Sequence, residues 1–245
     1  MTGPSHPASN DDLKTSKLFD VSHITAVVTG GGTGIGLMIT QALATNGAKV
    51  YITGRREEAL QSVVDQYGKD GPGSIHALPG DVSDKQDISR LAKEMSAKEP
   101  KGIHLLVNNA GIARDDATKF SDNGQPDMSD PQAIMDHFWK TEPDAWADTF
   151  RTNVTGGYYM SLAFLPLLAK GREVTPGYTS QIVNVSSISG QMKGSSSGQF
   201  AYAASKAAFT HLSRMLASTL IQTKIRVNII APGVFPSEVC TLRQS

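Results

Sequence analysis

Short runs of β-branched and aliphatic residues alternate along the chain with longer stretches in which apolar positions recur at helical spacing. Residues 24–29, 49–53, 74–78, 103–108, 181–186 and 225–230 read as strands. Between the first two, Ile35, Ile39, Ala42 and Leu43 mark one face of a helix that Asn46 and Gly47 bring to a stop. Repeated strand–helix–strand units imply a parallel sheet with helices on both faces, because each crossover must carry the chain back to the same edge. The expected fold is α/β, a doubly wound parallel sheet in a single domain over residues 21–245. A flexible arm is expected at residues 1–20, where Pro, Ser, Asp and Lys leave no apolar face.

Two segments interrupt this rhythm. Residues 113–143 are polar and punctuated by proline, with a short helical pattern around 134–139; residues 170–179 read as a loop between a long helix and the fifth strand. Both read as surface loops. The first has a second reading, as a border of a substrate site.

Composition narrows the partners. The chain has 245 residues, enough for one large domain that buries roughly 70–75% of its unfolded surface. Its 23 Lys and Arg balance 23 Asp and Glu, which gives no reason to expect nucleic acid or an anionic membrane. No apolar run is long enough to span a bilayer, and residues 1–20 lack a signal-peptide core, so a cytoplasmic location is expected. A single cysteine, Cys240, excludes an internal disulfide and a multi-cysteine zinc site, and the histidines show no metal spacing. His104 reads as a packed strand residue, and Trp139 and Trp146 as anchors for a helix.

The first strand runs directly into Thr29-Gly30-Gly31-Gly32-Thr33-Gly34-Ile35-Gly36 and then a helix. Glycines here permit a tight turn and close backbone approach to a pyrophosphate, whose charge suits the free amides and positive end of the helix. At the end of the second strand, where an NAD site usually has an acid for the ribose hydroxyl, stand Arg55 and Arg56. Two guanidinium groups suit a 2′-phosphate and point to NADP(H); the plainer reading is two solvated arginines at a helix start.

Further on, Tyr202 and Lys206 lie one helical turn apart, which puts phenol and ammonium on one face. A cation about 4 Å away is worth up to about 4 kcal/mol, or roughly three pKa units, enough to bring a phenol towards neutrality. Such a group suits proton transfer to a carbonyl oxygen. Standing alone, the same pair is common and mostly structural.

With the NNAG run at 108–111, Asn153 in RTNVTGG, Ser187 in IVNVSS and VNIIAPG at 227–233, these motifs resemble the short-chain dehydrogenase/reductase family from residue 24 to about 240. The glycine spacing is similar to that of its compact oxidoreductase subgroup, and the ends of the motif set resemble bacterial and fungal 3-oxoacyl-reductase-type members. The resemblance implies a Rossmann-type sheet with substrate above its carboxyl edge. It makes Tyr202 the acid/base and Lys206 the residue that lowers the phenol pKa and bonds the nicotinamide ribose. Ser187 would orient the carbonyl, and Asn153 would hold a water for proton relay. For the cofactor it implies Thr29, Gly30, Gly32, Thr33, Gly34, Ile35 and Gly36 at the pyrophosphate, and Asp81 and Val82 at the adenine. Asn108, Ala110 and Gly111 would lie beside the adenine ribose. Pro232, Gly233, Val234 and Ser237 would lie near the carboxamide and phosphates.

Taken singly, Ser187 also reads as a strand-end cap, Asn153 as an ordinary helix residue, the NNAG run as a turn and Asp81 as the opening of an Asx-turn. Two departures from the family stand out. The interval from Ser187 to Tyr202 is long, with the excess in the soft run 194–198, and the sequence ends soon after Gly233, where the family continues to a seventh strand. A sheet lacking that strand is therefore expected, with weaker closure over substrate; a homo-oligomer, dimer or tetramer, is expected if the sheet edge is complete. The expected activity is NADP(H)-dependent hydride transfer between nicotinamide and a small-molecule ketone or secondary alcohol. A catalytically impaired NADP-binding module and an NAD-dependent alcohol oxidase of the same fold are the competing readings.

Overall fold

A computed structural model describes residues 9–235 apart from 12, 69, 70 and 176. Ser237 and Cys240 thus lie outside the described residues, as does much of the expected N-terminal arm. The chain forms α1 (Thr15–Leu18), β1 (Thr25–Thr29), α2 (Gly34–Thr45), β2 (Lys49–Thr53), α3 (Glu57–Tyr67), β3 (Ser74–Ala77), α4 (Lys85–Lys98) and β4 (Leu105–Asn108). There follow α5 (Phe120–Asn123), α6 (Pro131–Phe138), α7 (Pro143–Phe150), a π-helical turn (Arg151–Gly156) and α8 (Gly157–Val174). The remainder is β5 (Gln181–Val185), a 3₁₀ turn (Ile188–Gly190), α9 (Phe200–Thr219), a second 3₁₀ turn (Ile221–Thr223) and β6 (Arg226–Ile230).

Every strand falls inside one of the runs read from the sequence, and all neighbouring pairs are parallel in the order β3-β2-β1-β4-β5-β6. Alternation along each strand decides which layer a side chain joins. In β1, Ala26 and Val28 face the layer of α2 and α3 with Val50, Ile52, Leu60 and Val63, whereas Val27 faces α4 and α8 with Leu91, Met95, Met160 and Phe164. Both sides of the central strands are apolar and buried, as a two-sided parallel sheet requires.

Three local readings change. The segment at 170–179 is not a loop throughout, because α8 runs on to Val174. Gly171 lies so close to the Ile103 carbonyl that any side chain would collide with it, so the helix end packs where a larger residue would force the chain away. The short helix expected at 134–139 begins earlier, at Pro131, because Asp130 caps it by accepting from the Gln132 amide at 2.9 Å and proline suits the first turn. Trp139 anchors nothing in the described structure: it closes α6 and is 83% exposed, while Trp146 stacks on Phe150 with ring centroids 6.4 Å apart.

His104 packs as a strand-flanking residue at the end of the sheet opposite the strands' carboxyl ends. Its Nδ1 accepts from the Thr25 amide at 3.0 Å, its Nε2 lies 2.8 Å from Thr175 Oγ1, and burial pushes its pKa down. Among the described residues no helix is long and apolar enough to cross a membrane, and no cluster of three or more His, Cys, Asp or Glu could hold a metal.

Candidate active site

The chain leaves β1 towards β2 and leaves β4 towards β5, so the two neighbouring strands diverge in topology and a crevice opens beyond their carboxyl ends. A cleft of about 600 Å³ lies there. It is lined by Gly30, Gly32 and Thr33 after β1, by Gly54, Arg55 and Arg56 after β2, and by Gly80, Asp81 and Val82 after β3. Ala110, Gly111 and Ile112 after β4 line it too, with Thr53 of β2, Ala59 and Leu60 of α3, and Thr152.

Sequence and backbone explain the shape. Gly30 has φ +65°, a conformation L side chains rarely adopt, and a Cβ there would lie 3.1 Å from Ala110 Cα. At Gly36, in the first turn of α2, a Cβ would lie 2.5 Å from Asn109 Nδ2. Asn109 is itself the clasp of the loop: Nδ2 donates to the Thr29 carbonyl at 3.0 Å and to the Gly30 carbonyl at 3.3 Å. Thr29 Oγ1 returns the grip by accepting the amides of Asn109 and Ala110, each at 2.9 Å. Asn109 is a site residue that sequence reasoning missed, although the doubled asparagine of the NNAG run carries its signal.

A dinucleotide fits this frame. Thr33, the N-cap residue of α2, makes no side-chain capping bond, which leaves the first-turn amides for an anion. Thr53 Oγ1, buried at the cleft wall, has no hydrogen-bond partner among the described residues. Arg55 and Arg56 are exposed at the rim. Arg56 is the N-cap residue of α3, whose first turn carries Glu57 and Glu58, acids placed where the helix dipole favours them.

The second group of residues meets at the end of β5. Lys206 is buried, and its Nζ donates to the Val185 carbonyl at 3.0 Å, 5.7 Å from the centroid of the Tyr202 ring. Burial pushes its pKa down to about 8. Gly111 lies against it: a Cβ there would be 3.3 Å from Lys206 Nζ and 3.2 Å from Asn153 Oδ1. Any side chain at 111 would therefore fill the space between cleft and ammonium. Ser187 follows Val185 closely and starts the turn Ile188–Gly190, its Oγ accepting from the Ser189 amide at 3.1 Å. That bond uses a lone pair and leaves the hydroxyl hydrogen free to be donated. The turn packs onto the backbone of Lys206 and Ala207 because Gly190 has no side chain to hold it off.

Asn153 occupies the π-helical turn and is buried. Its Oδ1 accepts from the Ile112 amide at 2.8 Å, while Nδ2 donates to the Ile112 carbonyl at 2.8 Å and to Ser205 Oγ at 2.9 Å. It thus joins the loop after β4 to the Tyr202 helix.

The remaining expected residues separate. Asp81 both lines the cleft and makes an Asx-turn, with Oδ1 accepting the Ser83 amide at 2.8 Å. Asn108 turns away from the cleft into a buried network, donating to Asn184 Oδ1 at 2.9 Å and to Ser161 Oγ at 3.0 Å. Gly34, Ile35 and Gly36 form the first turn of α2 behind the cleft wall. Pro232 meets the turn that Ser187 starts through its carbonyl, which accepts the Ile188 amide at 2.9 Å, and Gly233 and Val234 follow it.

A family model described as short chain dehydrogenase matches residues 24–244. Among curated proteins, a short-chain dehydrogenase/reductase of Diaporthe leptostromiformis, PhomF, is 42% identical over 227 residues, covering 93% of this chain and 75% of the relative. A rhamnolipids biosynthesis 3-oxoacyl-[acyl-carrier-protein] reductase of Pseudomonas aeruginosa is 34% identical, covering 90% and 76%. Among solved structures, the Pseudomonas aeruginosa RhlG/NADP active-site complex superposes with a TM-score of 0.73 at 31% identity, covering 90% of this chain and 76% of that one. The chain belongs to the short-chain dehydrogenase/reductase family, whose members are oxidoreductases that use nicotinamide cofactors on small-molecule substrates.

Proposed function

We propose that this chain is an NADP(H)-dependent reductase of a ketone, of the 3-oxoacyl or secondary-metabolite kind, that also runs in reverse on the secondary alcohol. The observation that carries it is the meeting of Lys206, Tyr202 and Ser187 around the end of β5, with Gly111 keeping open the space beside the ammonium. The NADP of the RhlG complex and the 3-oxoacyl substrate for which the rhamnolipid relative is named support the same reading.

When bound, the cofactor supplies hydride to the carbonyl carbon. The chain supplies the rest. Tyr202 donates its phenolic proton to the carbonyl oxygen, and the Ser187 hydroxyl holds that oxygen and stabilises the charge that develops on it. Lys206 places a positive charge behind the phenol and is in reach of a ribose through the space beside Gly111. Asn153, bound to the neighbouring Ile112 backbone, orders a water for proton return. The glycine loop would hold the pyrophosphate, Asp81 and Val82 would bind the adenine, and Arg55 and Arg56 would hold the 2′-phosphate.

Purified protein assayed against a panel of ketones and 3-oxoacyl thioesters, with NADPH and NADH compared, tests this. Turnover on at least one ketone with NADPH preferred is the expected result. Absence of turnover across the panel overturns the reductase reading, and equal use of both cofactors overturns the phosphate assignment.

A further inference from the structure

The start of α9, two residues before Tyr202, has no local cap: the side chain of Gln199 makes no capping bond. The cap comes from far along the chain. Asp115, in the segment between β4 and α5, is 1% exposed; its Oδ1 accepts the Ala201 amide at 3.1 Å across 86 positions, and its Oδ2 accepts the Tyr202 amide at 2.9 Å. A carboxylate at a helix N-terminus satisfies amides that otherwise lack partners and is favoured by the dipole. Burial raises the Asp115 carboxyl above its ordinary pKa, and the two amides oppose that rise.

The same segment is fastened to the loop before α9 at further points. Thr118 Oγ1 donates to the Gly198 carbonyl at 2.9 Å, and the Phe120 amide donates to the Ser197 carbonyl at 2.9 Å. His137 Nε2 lies 2.9 Å from the Thr118 carbonyl, and Phe138 meets Phe200 edge to face at 5.0 Å. The polar segment 113–143 and the soft run 194–198, where the interval before Tyr202 is long, therefore pack on each other directly ahead of Tyr202.

We propose that Asp115 is a positioning residue for the reaction: by gripping the amides of Ala201 and Tyr202, it fixes the place from which the phenol meets the substrate oxygen. This rests on Tyr202 being the proton donor of the proposed reductase. The phenol extends from the first turn of α9, the part of a helix most prone to fray. A displacement of about 1 Å at a reacting group costs on the order of 10²-fold in rate. Cofactor grip, by contrast, resides mainly in the glycine loop and the arginine rim, which Asp115 does not touch.

The test compares Asp115→Ala, Asp115→Asn and Thr118→Val with wild type in kcat on a ketone turned over by wild type, in NADPH Kd, and in hydrogen exchange at the amides of Ala201 and Tyr202. Asp115→Ala should lose about 10- to 100-fold in kcat, with Kd changed less than about threefold and exchange at both amides at least about tenfold faster. Asp115→Asn keeps one carbonyl acceptor and should recover at least about threefold in kcat over the alanine variant. Thr118→Val removes the bond to Gly198 and a 3.3 Å bond to the Asp115 main-chain carbonyl, which the amides of Thr118 and Lys119 still hold. It leaves the carboxylate and both of its amides untouched, so it should stay within about threefold of wild type. The proposal is overturned if Asp115→Ala keeps wild-type kcat, if Thr118→Val loses as much rate, or if exchange at the two amides is unchanged. Should the alanine variant not fold, the asparagine variant decides: unchanged exchange at both amides and wild-type kcat overturn it. Failure of the reductase reading looks different, since wild type itself then reduces no ketone and the proposal falls with it.

Discussion

Lys206 Nζ donates to the main-chain oxygen of Val185 at 3.0 Å, so the last residue of β5 holds a buried ammonium one helical turn along from Tyr202. The bond fixes the charge but does not replace the water it has lost, and burial pushes the lysine down to about 8. An unfolded lysine titrates at about 10.4. Between these values the unfolded chain holds more protons than the folded one, so stability rises with pH across the window. The cost is present in full below pH 8 and gone above about 10.4, for a change on the order of 3 kcal/mol. Urea denaturation of the ligand-free protein at pH 7 and pH 10 should therefore show wild type gaining about 2–3 kcal/mol relative to Lys206→Met. A difference that does not move with pH would contradict the buried, charged assignment.

Tyr202→Phe removes the proposed proton donor and keeps the ring in its half-buried place. Ketone reduction should fall below a tenth of the wild-type rate, with NADPH affinity held within about twofold. Rate retention above that level, measured by NADPH absorbance, would remove Tyr202 from its assigned role.

Arg55→Ala combined with Arg56→Ala should weaken NADPH far more than NADH. A charge-assisted contact contributes about 1.5–3 kcal/mol, so at least a tenfold selective loss is expected in Kd. Parallel losses for both cofactors would mean that the arginines do not meet a 2′-phosphate.

Gly36→Ala tests the glycine turn. The new methyl would run into the Gly30 main-chain carbonyl as well as Asn109 Nδ2, so α2 and the Gly30 backbone must move apart and the Asn109 clasp on Thr29 and Gly30 is disturbed with them. Overpacking of this kind costs about 1–3 kcal/mol. A lower melting temperature and weaker binding of both NADPH and NADH are the expected pair of outcomes, and normal binding of both would show that the turn has room to spare.

The strands were legible because a two-sided parallel sheet writes itself as continuous apolar runs; Val27, Val28 and Ile52 are fully buried whichever layer they face. The glycine loop was legible from its place between strand and helix, and local spacing puts Tyr202 and Lys206 on one helix face, but their roles came from the family resemblance of the whole motif set. Asp115 was not. One acid among several in a polar stretch looks solvated, and its partners lie 86 and 87 positions away, a contact that tertiary packing makes and local pattern does not carry. Asn108 was misleading for the opposite reason: it sits in a recognisable motif beside the cleft, but alternation along β4 sends its side chain towards Asn184 and Ser161 instead. The start of α6 is written in Asp130-Pro131, a start signal that apolar period alone does not register, so the period places the helix late.

The π-helical turn Arg151–Gly156 works as an indexing step in a long rod. A helix that continues from α7 into α8 without it would advance about 100° per residue throughout, and one residue fewer in this stretch would rotate α7 by that angle against α8. Gly157, Met160 and Phe164 would stay under the sheet, while Thr149, now buried, would turn outwards. Asn153 would lose its bonds to Ile112 and Ser205, and with them the link between the loop after β4 and the Tyr202 helix. Shortening the turn by a single residue is thus a change of angle more than of length, and it would uncouple one side of the crevice from the other while leaving every strand in place.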